Sequence, residues 1–173
     1  IFIEMDKSLK LYFRVNRDVN ERGQSKKQVL EAIEKRKSDS QKYIKPQALR
    51  SDVIFSLVPN NPELLEDSNS LSPNLKLNVS IRNGIYYDEL VKVLIGICGL
   101  QVNITSIDEK GEVIIEISGD IMAEDVKLAV HMLIPNMEEL FNFNAKFAIG
   151  MHGIMQIITL MELDEALKRR RLA

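Results

Sequence analysis

The chain is poor in the residues from which reactive or cross-linked sites are usually built. Among its 173 residues there are one cysteine, two histidines and no tryptophan. A single cysteine excludes a disulfide within the chain, which suits a reducing compartment. Two histidines and one cysteine leave little with which to assemble a zinc-type metal site, and no metal site is expected. Cys98 sits in the apolar run Val93-Leu-Ile-Gly-Ile-Cys98 and reads as a small buried residue, not a nucleophile. No apolar run approaches the ~20 residues that span a bilayer, and no secretory signal opens the chain, so a cytoplasmic protein without membrane contact is expected. Net charge is −2, which provides no overall attraction to nucleic acid. Any anion site must be local.

Apolar spacing supplies the organisation. Ile1-Phe-Ile-Glu-Met-Asp6 reads as a buried strand entering a helix, with no initiator methionine. The chain is therefore expected to be the later part of something longer. A helix is predicted from about Ser8 to Arg22. Ser25 with Gln28 forms a capping-box signature for a second helix, which Lys45-Pro46 stops. Ser51 to Leu57 reads as a continuously apolar strand of the kind buried in a parallel sheet, giving a βαβ-type crossover. Prolines, serines and asparagines then mark 59–74 as a linker.

Beyond the linker, Leu75-Lys-Leu-Asn-Val-Ser-Ile81 alternates as a half-buried strand does. Asn83-Gly84 reads as a turn, Tyr87 to Cys98 as a helix, and Val102–Ile107 with Glu112–Ile117 as a hairpin about Asp108–Gly111. A helix ending near Pro135, a helix start at Asn136 with Glu139, and a last helix from about Gly153 to Arg170 complete the chain. On that last helix, Asp164 with Lys168 and Glu165 with Arg169 fall at i,i+4 spacing. The expected fold class is α/β in residues 1–58, followed by a small α+β lobe over 75–173, β-α-β-β-α plus terminal helices.

The most informative stretch is Arg14-Val-Asn-Arg17-Asp18-Val-Asn-Glu-Arg22-Gly23. Helical spacing puts Arg14, Arg17, Asp18 and Arg22 within one arc, with Lys10 a turn earlier. Gly23 stands where a helix takes a left-handed C-cap. Three guanidinium groups around a carboxylate suit a phosphorylated ligand. By spacing alone, a solvated charged face is the better reading of the stripe.

A longer match bears on that choice. Arg17-Asp18-Val-Asn-Glu-Arg22-Gly23, Ile33-Glu-Lys-Arg36-Lys37-Ser-Asp39, Tyr43-Ile44-Lys-Pro46-Gln47 and Ser51-Asp52 occur in the order and at the spacing of the phosphoribulokinase and uridine kinase family. Residues 14–52 resemble that family, and the Asp39 to Gln47 stretch is closest to its phosphoribulokinase branch. Gly153-Ile-Met-Gln-Ile-Ile-Thr-Leu160 faintly resembles that branch's final helix.

The resemblance implies a parent kinase. It would use ATP and Mg2+ to transfer the γ-phosphate to a hydroxyl of a sugar phosphate or nucleoside. Residues 1–58 would be the C-terminal part of a P-loop kinase's parallel sheet with its lid helices. On the lid, Arg17 and Arg22, with Arg14, would contact phosphate groups, and Asp18 would order them. The sequence contains no Gly-x-x-x-x-Gly-Lys-Ser/Thr string, the phosphate cradle of such enzymes; Gly96-Ile-Cys-Gly99 has the wrong spacing and no lysine. This chain alone is therefore expected to be inactive and to hold neither ATP nor Mg2+.

Other residues carry weaker signals. His131 reads as a helix residue at the core edge, and His152, between Gly150 and Gly153, as part of a turn before the last helix. Lys168-Arg-Arg-Arg171 suits the negative end of a helix dipole, and the methionines suit the core. An alternative reading makes the chain a non-catalytic binding or oligomerisation module with a relic kinase segment. On either reading a homo-oligomer is a possible state.

Overall fold

A computed structural model describes residues 1–65, 73–82, 87–107, 112–137 and 145–171. The chain is α/β and divides into two compact units, Ile1–Leu75 and Lys76–Ala173. Five strands occur among the described residues; the first two in sequence pair in parallel and the last three pair antiparallel.

In the first unit, β1 (Phe2–Met5) pairs in parallel with β2 (Val53–Pro59), Phe2 opposite Ile54 and Met5 opposite Leu57. The Asp6 N–H continues the ladder to the Leu57 carbonyl at 2.9 Å. The Asp6 carboxylate then accepts from the Ser8 N–H at 2.8 Å and from the Leu9 N–H at 3.4 Å. It is thus the N-cap of α1 (Lys7–Val15), turning strand into helix within one residue. Hydrogen bonds from Ser8, foremost the hydroxyl, hold its pKa below the ordinary carboxylate value. Leu9, Val29, Val53 and Phe55 form the centre of this unit's core.

The structure departs from the sequence reading at three places here. β1 is not buried: Ile3 is 58% exposed and Glu4 is exposed. β2 alternates between buried and half-buried residues instead of being covered on both faces. The second helix also ends sooner. Ser25 caps α2 (Lys26–Lys35) with the expected reciprocal box, but α2 stops at Arg36. A short α3 (Lys37–Asp39) and a π-helical turn (Ser40–Ile44) follow. Pro46 stands near the start of a 3-10 turn (Lys45–Arg50) and so opens a segment it was expected to close; the ring lacks only an N–H that the first turn does not use. Downstream of β2, the Asn60 N–H reaches the Asn74 carbonyl at 2.9 Å, and their side chains are joined at 3.0 Å. The two ends of the proline-rich stretch are therefore tied together.

The second unit is built on β3 (Leu75–Ile81), β5 (Val113–Ser118) and β4 (Gln101–Ile107), antiparallel in that spatial order. Leu77, Val79 and Ile81 oppose Ile117, Ile115 and Val113 on the buried face. Each fully buried aliphatic side chain there contributes roughly 1.5–3 kcal/mol. The other face carries Lys76–Glu116 and Arg82–Glu112 ion pairs, at 2.6 and 3.1 Å. α4 (Tyr87–Gly96), α5 (Ala123–Leu133) and α6 (Gly150–Arg171) pack around this core, α5 touching both others.

α6 starts three residues earlier than its spacing predicts, so His152 is an exposed helical residue and not part of a turn. Gln156, one turn on, accepts from the Ala148 N–H at 2.7 Å and donates to the Lys146 carbonyl at 3.3 Å, pinning the incoming chain to the helix. Lys168 pairs with both Asp164 (2.7 Å) and Glu165 (2.9 Å). Arg169 reaches Glu162 at 2.8 Å in place of the expected Glu165. Met137, Met151 and Met161 are buried, whereas Met122 and Met132 are exposed. The expected turns at Asn83-Gly84 and Asp108–Gly111 and the helix start at Asn136 with Glu139 lie outside the described residues, wholly or in part.

Gly153 shows how closely α6 is approached. A Cβ there would drive into the Ala148 carbonyl oxygen and the Val126 side chain of α5. Helix propensity alone favours alanine over glycine by about 1 kcal/mol. The contact reverses that preference, and Gly153→Ala is expected to lower the urea midpoint of unfolding, followed by circular dichroism. Gly96→Ala, in α4 with open space around it, is expected to raise or preserve it.

Candidate functional site

The arginine stripe forms at the end of α1, where the helix widens. Residues Asn16–Glu21 make a π-helical turn, closed at Arg22 by an N–H to the Val19 carbonyl. Gly23 follows with φ of 65°, a left-handed conformation that costs glycine little. The Gln24 N–H then bonds to the Asp18 carbonyl at 2.9 Å. π-turns within helices are concentrated at functional positions.

Asp18 is the hub, only 5% exposed. Its Oδ1 accepts from Arg17 Nε at 2.8 Å and Arg22 Nη1 at 3.1 Å, and its Oδ2 accepts from Arg17 Nη2 at 3.2 Å. Arg14 Nε lies 3.7 Å from Oδ2, an ion pair without a hydrogen bond, and this buried Nε has no acceptor among the described residues. Arg14 and Arg22 are the i,i+4 neighbours that the spacing anticipates. The two-point bond from adjacent Arg17 is not legible from spacing, because neighbouring residues on a regular helix point about 100° apart. Arg17 holds the Asp18 carboxyl below its ordinary value of 3.8, burial opposes this, and the charges of Arg17, Arg22 and Arg14 add to the lowering. The same bond raises the pKa of Arg17.

One carboxylate against three guanidinium groups leaves an excess of positive charge. Arg14 and Arg17 turn that excess toward a cleft of about 760 Å³ in the first unit, which runs from the C-terminal end of β1 along α1. Ile3, Met5 and Phe13 supply apolar wall; Lys10 and Arg36 add two cations, against Glu4 and Glu21. Arg22 reaches Asp18 from outside the residues that line this cleft. A crevice beyond the carboxyl end of a parallel strand is where open α/β sheets bind ligands. The arrangement can hold an anion by bidentate arginine contacts with an apolar group beside it.

Arg36 was not singled out by sequence reasoning. It stands fourteen residues beyond Arg22 and comes to the cleft only because α2 packs back on α1. Its inclusion in the matching segment was the available signal. His131 and His152 are both remote from the cleft in sequence and lie on helices of the second unit. His152 borders a separate, mainly apolar cavity of about 550 Å³ with Phe147, Met155 and Gln156. Cys98 is buried, and burial pushes its thiol up to about 11. Among the described residues, no three His, Cys, Asp or Glu side chains group as metal donors, and no helix is long and apolar enough to cross a membrane.

Residues 1–62, which include the Asp18 cluster, both parallel strands and α1 to α3, match the model of the phosphoribulokinase/uridine kinase family. The resemblance to that family rests on this segment, which is less than half of the chain. The chain is 31% identical over 70 residues to the phosphoribulokinase of Synechocystis sp., covering 40% of this chain and 20% of that protein. It is 34% identical over 67 residues to the chloroplastic phosphoribulokinase of Spinacia oleracea, covering 39% and 16%. With the chloroplastic phosphoribulokinase of Arabidopsis thaliana it shares 28% over 87 residues, covering 50% and 21%. The matching stretch thus spans about a fifth of each relative's length. The family segment contains every candidate arginine, and the second unit lies wholly beyond it.

The sign of the Asp18 shift fixes a pH dependence. A carboxyl held below 3.8 adds stability that is fully present above that value and is lost as pH falls through its folded-state pKa. The stability gap between wild type and Asp18→Asn is therefore expected to be constant from pH 7 to about 5. It should narrow on further acidification. Urea unfolding at a series of pH values reads this directly; a gap that widens below pH 4 would contradict the assignment.

Proposed function

We propose that this chain is the C-terminal part of an ATP-dependent small-molecule kinase of the phosphoribulokinase/uridine kinase type. The parent enzyme transfers the γ-phosphate of ATP to a hydroxyl of a sugar phosphate or nucleoside. The observation that carries this reading is the Asp18-centred arginine cluster at the mouth of a cationic cleft, inside the family segment. Phosphoryl transfer demands positioning and neutralisation of charge spread over phosphate oxygens, and fixed guanidinium forks meet both demands. Arg17 and Arg22, with Arg14, contact phosphate groups on this reading. Asp18 positions them, occupying one edge of Arg17 and leaving its other N–H groups for ligand. The turn at Asn16–Glu21 belongs to a lid that excludes water from the transfer.

ATP and the acceptor are substrates of the parent enzyme. Mg2+ supplies charge neutralisation on the phosphates in such reactions, but the residues here do not suit it: Asp18 is saturated by arginines, and Glu4 and Glu21 stand among cations. No step is assigned to a metal held by this chain. The exposure of apolar side chains on and beside β1, Ile1, Ile3 and Phe13, fits a parallel sheet that further chain completes. The absence of a Gly-x-x-x-x-Gly-Lys-Ser/Thr string fits it as well. The single buried cysteine suits a reducing compartment such as the cytoplasm.

In the full-length protein, Arg17→Ala and Arg22→Ala are expected to lower kcat/KM for phosphoryl transfer by roughly 100-fold or more. Thermal stability should change little for Arg22→Ala, whose side chain is half exposed. Steady-state assays with ATP and a panel of pentose phosphates and nucleosides test both the reaction and the acceptor. Unchanged turnover in both variants would favour the module reading, in which the kinase segment is a scaffold. A parent reading frame without the P-loop string upstream of Ile1 would also overturn the kinase reading.

A further inference from the structure

α6 is apolar around more of its circumference than its core face requires. Met151, Ile154, Ile157, Ile158 and Met161 are buried. His152, Met155, Gln156, Thr159 and Leu160 recur at i, i+3, i+4, i+7 and i+8 and make a second stripe. On it only His152 is exposed, and the other four are half-buried. This stripe is one wall of the cavity of about 550 Å³, and Met137, Phe147 and Ala148 stand on the other side. The volume lies within the roughly 300–1,000 Å³ of small-molecule sites.

The walls are fixed to each other. Gln156 spans them, accepting from the Ala148 N–H at 2.7 Å and donating to the Lys146 carbonyl at 3.3 Å. Gly153 brings the Ala148 carbonyl directly against the helix. The cavity is therefore preformed, and the Gln156 amide is already satisfied at both ends. The polar groups left are few, chiefly the side chains of Lys146, His152 and Thr159. The described residues that line the cavity include no acid, and neither Lys146 nor His152 has an ion-pair partner among the described residues. Both stand at one end. The Lys146 carbonyl meets Gln156, and His152 lies one turn before it, whereas Leu160 lies one turn beyond.

We infer that this cavity binds an apolar monocarboxylate of the medium-chain fatty acid type. Its chain lies along Phe147, Met155 and Leu160, and its carboxylate meets the Lys146 ammonium and the His152 ring. The apolar lining demands an apolar body, and two nitrogen donors without an opposing acid demand one negative head. A nucleotide or sugar phosphate carries more polar surface than this lining can satisfy; such a ligand suits the arginines of the first unit instead. The site uses the second unit alone and stands whether or not the kinase reading holds.

Octanoate and uncharged octanol are the probes. The full chain, with isotope-labelled methionine methyl groups, is titrated with each at neutral pH and followed by NMR. Met137 and Met155 line the cavity, whereas Met5 lines the arginine cleft and Met122 is exposed just before α5. Octanoate is expected to shift Met137 and Met155 saturably and to leave Met5 and Met122 unmoved. Octanol should bind the same place roughly 3-fold more weakly, the worth of an exposed ion pair. The double variant Lys146→Gln/His152→Gln, which changes two exposed side chains, is expected to equalise the two probes. Thr159→Phe, which fills the cavity, should abolish both sets of shifts; if it proves misfolded by circular dichroism, the double variant decides. Shifts at Met5 alone, or none at Met137 and Met155 with millimolar octanoate, overturn the proposal. So does a preference for octanoate that is absent in the wild type or that the double variant retains, since the head group then does not sit at Lys146 and His152.

Discussion

A carboxylate withdrawn from water must be neutralised where it stands, and Asp18 is neutralised by three arginines from its own stretch of helix. The organisation of the candidate site follows from that requirement. The buried charge fixes the forks of Arg17 and Arg22 and draws Arg14 alongside. Removing the carboxylate would leave three like charges crowded at one helix end, while removing an arginine would leave a buried anion short of partners. The cluster is therefore both a structural joint and a fixed source of positive potential. Arg14 and Arg17 line the cleft, and Arg22 holds the same carboxylate from beside it.

The local backbone serves the same end. Asp6 converts β1 into α1 without a loop, so the cleft at the strand's end lies directly against the helix that bears the cations. The π-turn lets adjacent Arg17 and Asp18 meet, and Gly23 releases the chain immediately afterwards. In the second unit a comparable economy operates through packing instead of charge. Gly153 admits the Ala148 carbonyl and Val126, and Gln156 ties down the chain that passes over it. Residues 153–160 thus include one position that cannot carry a side chain and one that satisfies two backbone groups.

Much of this was legible in the residues. The Ser25–Gln28 box, the alternation of Leu75–Ile81 and the i,i+4 placement of Arg14 and Arg22 about Asp18 are local patterns, set by spacing and by hydrogen bonds within a few residues. Three readings failed because a longer-range term prevailed. Ile3 is apolar but stands on β1, which among the described residues pairs on one side only, and apolarity alone does not reveal whether a strand has a cover. Pro46 marks a boundary in either direction, and only the backbone that precedes it decides whether it ends a helix or begins a turn. Arg169 chose Glu162 over Glu165 because Lys168 had already engaged Glu165 and Asp164, a competition that pairwise spacing does not register.

By itself the sequence determined the chemistry available: which segment carries the guanidinium groups, where helices are capped, and which strands alternate. These depend on the identity of near neighbours, which the chain fixes covalently. Only the tertiary structure decided that Arg36 joins Arg14 and Arg17 at one cleft and that Arg17 grips the residue beside it. Those outcomes depend on how separate segments compete for the same core and the same partners, and that competition is settled in three dimensions.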